Sequence, residues 1–344
     1  MNSRRYEDPD GEIAHGLNTL LKGELSIDDV AAKLNFRGRC NKRQPYSIIT
    51  QLMKTGHIED VEVGTFLSKD DQDRYSRSMN YFSWINKRSN PSHWHRQEML
   101  HDSSAAIIGA GGVGSGIAYH MAASGVGKIT IVDFDKVELS NLNRQYLFNE
   151  SDIGKLKSEV VAGKVSQINH DVDVESVNQK IEKYLDIIPL IKESSLFYHC
   201  VDSPDAMPFW ANTAALKTRV PWVDCSYTGP VIQCCTFVPG MTGRYLCLRE
   251  SEKRKLSSTG RGEAYSDHVP DDNPGFGPVV QISSALASYE GLRFISHLNP
   301  NSVGRAIHQN MYDYSLSYAI EVPKNAPMIP NLSCIYIQSL KKYS

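Results

Sequence analysis

Residues 105–148, AAIIGAGGVGSGIAYHMAASGVGKITIVDFDKVELSNLNRQYLF, decide the fold class. An apolar run at 105–108 leads into a glycine-rich loop, and a second apolar run at 129–132 ends at Asp133. The segment between them is rich in small and apolar residues, which suits a helix packed against a sheet. Strand, glycine loop, helix and strand in this order predict a doubly wound, Rossmann-like α/β domain.

The glycine loop has the G-x-G-x-x-G spacing of a nucleotide-binding turn. Small residues let the turn close and let phosphates approach the backbone, and the following helix presents its N–H groups to an anion. Asp133 comes 19 residues after Gly114, which suits a carboxylate that binds ribose hydroxyls. A glycine turn with a purely structural role is the alternative. The candidate nucleotide contacts are Gly109, Gly111, Gly112, Gly114 and Asp133.

The residues that follow Asp133 argue against a dehydrogenase. Hydride transfer needs no cluster of amides and cations beyond the ribose-binding acid. Breaking an α–β phosphoanhydride bond does need one, because negative charge develops on pyrophosphate and on the α-phosphate. The pattern therefore favours AMP transfer from ATP. For the two lysines, Lys155 and Lys157, the alternative is that they are exposed surface residues that keep the protein soluble. The candidate phosphate-binding residues are Asn141, Arg144, Gln145, Lys155 and Lys157.

Two further carboxylates are candidate ligands for Mg²⁺. Asp135 lies two residues after the ribose-binding acid, and Asp202 ends another apolar run, SLFYHCVDSP at 195–204. Acids at the carboxyl ends of parallel strands lie where doubly wound folds bind their ligands. Carboxylate oxygens are also the ligands that Mg²⁺ prefers. An aspartate that only caps the next helix is the alternative for Asp202.

Composition excludes several classes of protein. The formal net charge of the 344 residues is −2, so no overall field favours nucleic acid or an anionic membrane. The sequence has no apolar run of the roughly 20 residues that span a bilayer, and residues 1–16 lack the apolar core of a signal peptide. Seven irregularly spaced cysteines fit reduced thiols, so we expect a cytoplasmic protein.

Residues 12–67 have the pattern of a small separate module. Three helical stripes are followed by two short alternating segments, which together indicate a winged helix. DNA binding is disfavoured because the third helical segment carries only Lys54, whereas DNA readers show a basic stripe. The edge strand of the wing suits an extended peptide added by β-pairing. A dimerisation or packing module remains an equal alternative at this point.

Six motifs between residue 74 and about residue 240 resemble the E1-type adenylating enzymes, which include sulfur-carrier activators and ubiquitin-activating enzymes. These motifs are RYSR at 74–77, the glycine loop, DFD at 133–135, SNLNRQ at 140–145, GKLK at 154–157 and Asp202. The resemblance implies acyl activation by ATP, with Asp133 on ribose and Asp135 and Asp202 near Mg²⁺. It implies phosphate contacts from Asn141, Arg144, Gln145 and Lys157. It further implies a homodimer in which Arg77 reaches the partner's ATP site.

The departures from this family concern cysteine. Many relatives bind a structural zinc ion through two C-x-x-C pairs, but here Cys247 and Cys334 stand alone and Arg244 replaces a partner cysteine. Two thiols do not complete a tetrathiolate site, so we predict no zinc. Cys225, Cys234 and Cys235 fall in apolar strand-like segments, which favours buried thiols over a thioester-forming cysteine.

The extra N-terminal module resembles the peptide-modifying branch of the family. That branch implies a winged-helix-like domain at 1–70, of the type that recognises precursor-peptide leaders, and an E1-like adenylation domain at 71–344. A polar segment at about 250–277 is the expected crossover loop. The implied function is activation of glutamate side chains in a ribosomal precursor peptide during antibiotic biosynthesis. Activation of a sulfur-carrier or ubiquitin-like C-terminus, adenylation of a peptide C-terminus, and a nucleotide-sensing regulator remain alternatives.

Overall fold

The computed structural model describes residues 64–85, 92–259 and 274–324, with isolated positions between 26 and 51. The chain divides into two compact units, Met1–Glu98 and Met99–Ser344. The predicted boundary after residue 70 therefore lies inside the first unit. The winged-helix prediction rests on residues 12–67, of which the structure describes only 64–67 and isolated positions between 26 and 51, so it stays a prediction.

The described part of the first unit is dominated by helix α1 (Lys69–Ile85). Ser68 caps it: the Ser68 hydroxyl accepts the Asp71 N–H at 3.0 Å, and the Asp71 carboxylate accepts the Ser68 N–H at 3.1 Å. Tyr75, Met79 and Phe82 are buried, which is the spacing of one helical face. Arg77 lies outside that stripe and is exposed. A short helix, α2 (His95–His101), leads into the second unit.

The second unit is built on one eight-stranded sheet in the order β3-β2-β1-β4-β5-β6-β7-β8. The first five strands are parallel and the last three continue antiparallel. The strands are β1 (Ser104–Ile108), β2 (Lys128–Val132), β3 (Asp173–Val177), β4 (Leu196–His199), β5 (Trp222–Thr228), β6 (Val231–Phe237), β7 (Arg305–Asn310) and β8 (Tyr318–Glu321). The doubly wound fold predicted from residues 105–148 is confirmed.

Helices cover both faces of this sheet. They are α3 (Gly112–Ala123), α4 (Lys157–Ile168), α5 (Tyr184–Ile191), α6 (Met207–Thr218), α7 (Tyr245–Thr259) and α8 (Gly277–Ile295). Helices α5, α6 and α7 share a core with the sheet around Phe197 and Trp222, whose rings stack 5.9 Å apart. On the other face α3 packs so closely on α8 that a Cβ on Gly116 would lie 2.6 Å from the Ser284 hydroxyl.

The strand order fixes where a ligand binds. The chain runs outward from β1 through β2 to β3 and then returns to form β4 on the other side of β1. The crossovers leave β1 and β4 in opposite directions, which opens a crevice at the carboxyl ends of these two strands. Both the glycine loop after β1 and Asp202 after β4 lie at this edge.

Two sequence interpretations need correction. The sequence does not predict strand β3, because its residues are exposed or partly exposed at a sheet edge, without regular alternation, and carry little hydrophobic signal. The polar segment at 250–277 is predicted as a loop, but α7 continues to Thr259. The charged residues of this segment suggest an exposed loop, but two of its acids, Glu250 and Glu252, are buried in α7. Glu252 pairs with His308 at 3.3 Å. Residues 260–273 lie outside the described part of the chain.

Within the described ranges, the helices are all too short or too polar to cross a membrane.

Candidate functional site

A cavity of about 840 Å³ lies at the carboxyl edge of the parallel strands, in the size range of small-molecule sites. It joins the glycine loop, the segment after β2 and the ends of β4 and β5. Predicted residues on its wall are Gly109, Gly111, Gly112, Asp133, Asp135, Asn141, Arg144, Gln145, Lys157 and Asp202.

The glycine loop holds its shape through close backbone contacts. Gly109 has φ +98, and a Cβ on Gly114 would lie 1.8 Å from the Gly109 carbonyl oxygen. Gly114 is therefore required by the turn itself and does not line the cavity. A Cβ on Gly111 would meet nothing nearer than Gln145 Nε2 at 3.9 Å, so it would project into open space. Helix α3 begins here without a side-chain cap, which leaves first-turn N–H groups for an anion.

Asp133 ties the ends of β1 and β2 together. Its Oδ2 accepts the Ala110 N–H at 2.6 Å and its Oδ1 accepts the Asp135 N–H at 2.8 Å. Burial raises the pKa of Asp133, while these hydrogen bonds and Lys157 lower it. The carboxylate thus lies on the cavity wall in a fixed orientation, as a ribose-binding acid requires.

The segment after β2 folds as a compact turn that points polar groups at the cavity. The Arg144 Nη1 donates to the Ser140 carbonyl at 2.8 Å and to Asn143 Oδ1 at 3.0 Å. Asn141 Oδ1 accepts the Glu138 N–H at 3.1 Å, which fixes the start of the turn. Gln145 is buried, and its Oε1 has no hydrogen-bond partner among the described residues. A hydrogen-bond donor from a bound ligand or from water would satisfy this amide oxygen on the cavity wall.

Lys157 and Asp135 form one pair within this wall. The Lys157 Nζ lies 3.2 Å from Asp135 Oδ2, and the Lys157 N–H donates to the Asp135 carbonyl at 2.9 Å. Lys155 lies outside the cavity lining, and its Nζ pairs with Asp152 at 3.3 Å. The structure therefore brings together all the predicted phosphate-binding residues except Lys155.

Asp202 faces the cavity from the end of β4. Within the described ranges it accepts no hydrogen bond, and its side chain is open to the cavity. Burial raises the pKa of Asp202, and the charges of His199 and Arg144 oppose that effect. Two carboxylates on one wall, Asp135 and Asp202, are hard oxygen donors that fit a magnesium ion.

The sequence interpretation misses the β5 side of the cavity. Cys200, Cys225 and Tyr227 line it, together with Trp210 of α6. The sequence predicts a buried strand here, and nothing in its alternation marks Tyr227 as a cavity residue. The cysteines are placed as predicted: Cys225, Cys234 and Cys235 are buried in β5 and β6, and burial raises the pKa of the Cys200 thiol well above its usual range. Protonated thiols are poor nucleophiles, which disfavours a thioester at Cys200.

The profile of the ThiF family matches residues 75–328. The chain belongs to the ThiF family. It is an ATP-dependent adenylating enzyme, and the resemblance drawn from its six motifs is confirmed. The sulfur carrier protein ThiS adenylyltransferase of Escherichia coli is 29% identical to it over 204 residues, which are 58% of this chain and 75% of that protein. The molybdopterin-synthase adenylyltransferase of E. coli is 35% identical over 127 residues, 37% of this chain and half of that protein.

Two solved structures resemble this ThiF-family chain over nearly their whole length. E. coli MccB with ATP gives a TM-score of 0.72 at 22% identity, covering 95% of this chain and 91% of MccB. PaaA gives a TM-score of 0.72 at 20% identity, with 93% of each chain covered. The two structures confirm the E1-like fold.

Two predictions about this ThiF-family chain stay predictions. Arg77 lies exposed on α1 in the first unit, and the structure contains one chain, so its reach into a partner's site is untested. The absence of zinc is also untested. Cys247 lies in the first turn of α7 and is partly buried against the core, and Cys334 falls outside the described residues.

Proposed function

We propose that this enzyme modifies a ribosomally made precursor peptide during antibiotic biosynthesis by activating glutamate side-chain carboxylates. The observation that carries the proposal is the cavity itself. A glycine loop, Arg144, Lys157 and Asp202 converge there, next to the β5 wall, in a chain of an adenylating family. Two proteins with a similar fold support the proposal: MccB, described as a microcin C7 biosynthetic enzyme and solved with N-formylated MccA, and PaaA.

The residues suit adenylation chemistry. A carboxylate is a poor electrophile because its charge is delocalised and hydroxide is a poor leaving group. In the proposed reaction a carboxylate oxygen attacks the α-phosphorus of ATP, a new P–O bond forms, and the bond to pyrophosphate breaks. Arg144 and Lys157 stabilise the negative charge that develops, and the first turn of α3 binds phosphate oxygens. A carbon or nitrogen nucleophile of the peptide then displaces AMP, with net loss of water from the peptide.

Magnesium would be held by Asp202 and Asp135. Bound there, the ion would neutralise phosphate charge and orient the triphosphate. The Lys157 ammonium lies 3.2 Å from Asp135 Oδ2 and neutralises that carboxylate directly. Lys157 therefore acts both on a magnesium-binding acid and on the phosphates.

The remaining partners follow from the family resemblance. We propose a homodimer in which Arg77 reaches the partner's ATP site, and an N-terminal winged-helix-like module at 1–70 that binds the leader of the precursor. The predicted crossover segment at about 250–277, of which α7 includes the residues up to Thr259, is proposed to contact the peptide. A cytoplasmic location follows from the reduced cysteines that the composition suggests.

A second candidate function is activation of the C-terminus of a sulfur carrier. The 29% identity to the ThiS adenylyltransferase favours it. The third candidate, adenylation of a peptide C-terminus, is favoured by the architecture shared with MccB. The three differ in the carboxylate activated and in the product.

The product distinguishes these candidates. Enzyme, ATP and Mg²⁺ are incubated with synthetic peptides for the short reading frames that flank the gene, and the products are analysed by mass spectrometry. We expect a peptide that has lost water, because attack on the acyl adenylate expels AMP and closes a ring. A stable adenylate at a carrier or peptide C-terminus, with no dehydrated peptide, would support the alternatives and contradict the proposal.

The N-terminal module is expected to bind the leader of the precursor and not DNA. Tethering raises the local concentration of the core peptide at the ATP site into the millimolar range. Deleting this module, residues 12–67, should weaken peptide binding strongly while ATP binding is retained. Fluorescence anisotropy with labelled leader, and in parallel with duplex DNA at physiological salt, measures this. Tight DNA binding without peptide binding would revive the regulator alternative.

A further inference from the structure

Tyr227 lies at the carboxyl end of β5, on the wall of the nucleotide cavity. Its side chain is largely buried, yet none of the six family motifs contains it. Its hydroxyl lies close to the side chain of Arg144, since a Cβ on Gly275 would lie 2.8 Å from the Tyr227 hydroxyl and 2.9 Å from Arg144 Cδ, and Asp202 lines the same cavity. A phenol held between the phosphate clamp and the magnesium-side acid is well placed to contact a reacting group.

The order of the strands indicates which substrate Tyr227 meets. Asp133, the ribose acid, ends β2, and the N-terminus of α3 follows β1. Asp202 follows β4, and β5 is the next parallel strand, on the side of β4 away from β1. A nucleotide with its ribose at β2 and its phosphates at α3 therefore runs toward β4. The end of β5 forms the cavity wall beyond β4, which leaves room there for a second substrate beside the nucleotide.

The chemistry of the hydroxyl agrees with this position. A tyrosine phenol, with its usual pKa of about 10, is protonated at neutral pH, so the Tyr227 hydroxyl can donate a hydrogen bond. A carboxylate that enters beside Asp202 needs a donor and a cation to offset charge repulsion, and Tyr227 with Arg144 supplies both.

We propose that Tyr227 and Arg144 form the subsite that binds the substrate carboxylate for attack on ATP. Tyr227 donates a hydrogen bond to one carboxylate oxygen, while the other oxygen forms the bond to the α-phosphorus and pyrophosphate leaves. No proton transfer is needed in this step. The proposal rests on the proposed function and identifies the side chain that selects for a carboxylate.

Tyr227→Phe tests the subsite, because it removes the hydroxyl and keeps the ring. Peptide-dependent exchange of pyrophosphate into ATP is measured with whichever flanking-frame peptide supports it in the wild type. We expect the KM for peptide to rise about tenfold or more, the effect of one hydrogen bond to a charged group. The Kd for ATP alone, by calorimetry without peptide, should stay within about twofold.

Two further variants make the result decisive. Tyr198→Phe removes a buried hydroxyl from β4 that contacts Met121 Sδ at 3.5 Å and does not line the cavity, so peptide KM should not change. Gly275→Ala would place a Cβ 2.8 Å from the Tyr227 hydroxyl and 2.9 Å from Arg144 Cδ. It should raise peptide KM as Tyr227→Phe does, and it replaces that variant if the phenylalanine protein does not fold.

The outcomes separate this inference from the proposed function. An unchanged peptide KM in Tyr227→Phe, or a rise in the ATP Kd alone, would overturn the carboxylate subsite and leave the proposed function standing. A wild-type enzyme that shows no exchange with any of the flanking-frame peptides would overturn the proposed function and the subsite with it.

Discussion

Replacing Asp202 with asparagine is expected to lower ATP consumption at least ~100-fold, the usual cost of removing one group that stabilises charge in the transition state. The substituted amide has the size of the native carboxylate but no charge to bind a magnesium ion. The fold should be unaffected, because Asp202 accepts no hydrogen bond within the described ranges. Peptide-dependent release of pyrophosphate measures the loss, and thermal unfolding checks the fold.

Asp205→Asn is the matched control. Asp205 lies three residues further on, before α6, is exposed and does not line the cavity. It undergoes the same chemical change with no expected effect. Normal turnover by the Asp202 variant, or equal losses in both variants, would show that Asp202 has been given the wrong role.

Gly111→Ala is expected to lower ATP affinity on the order of 100-fold without destabilising the protein. The added methyl group would meet no protein atom nearer than 3.9 Å, so the fold has no need of glycine here. A phosphate that takes hydrogen bonds from the first turn of α3 does need it, and each lost bond to a charged group costs about 1.5–3 kcal/mol. Calorimetric titration with ATP and a thermal melt separate the two effects.

Alanine substitutions at two other glycines serve as controls for Gly111→Ala. Gly114→Ala should destabilise the protein as well, because its Cβ would collide with the Gly109 carbonyl oxygen at 1.8 Å. Gly163 lies inside α4, and a Cβ added there would meet no atom within 4 Å. Gly163→Ala should therefore leave the free energy of unfolding unchanged or raise it by up to about 1 kcal/mol. If Gly111→Ala bound ATP as well as the wild type, the glycine loop would be purely structural.

The sequence predicted the site residues that directly follow apolar strands, because these residues lie at the edge of the sheet where the ligand binds. Asp133 and Arg144 follow β2 and Asp202 follows β4, and parallel strands bring their carboxyl ends to one edge. Residue type, spacing and family resemblance together therefore predicted most of the nucleotide side of the cavity. Two candidate contacts, Lys155 and Gly114, lie outside the cavity lining: Asp152 pairs with the Lys155 ammonium, and Gly114 packs against the Gly109 carbonyl.

Features set by tertiary neighbours could not be predicted in this way. Strand β3 is an exposed edge strand whose residues do not alternate regularly between apolar and polar. Helix α7 has a polar composition although two of its acids, Glu250 and Glu252, are buried. The sequence does not single out Tyr227, because its strand resembles any buried strand; the order of β4 and β5 and its position near Arg144 on the cavity wall identify it. The family motifs describe the ATP side of the reaction and contain no signal for the second substrate.

The central claim is that a peptide carboxylate attacks the α-phosphorus of ATP, and isotope transfer tests it directly. The peptide that supports turnover is prepared with ¹⁸O in its side-chain carboxylates, and the nucleotide products are analysed by mass spectrometry. We expect AMP that carries one ¹⁸O atom, because the carboxylate oxygen bonded to the α-phosphorus leaves with AMP when the nucleophile attacks the acyl carbon. ADP together with ¹⁸O-labelled inorganic phosphate would show attack on the γ-phosphorus and would contradict adenylation.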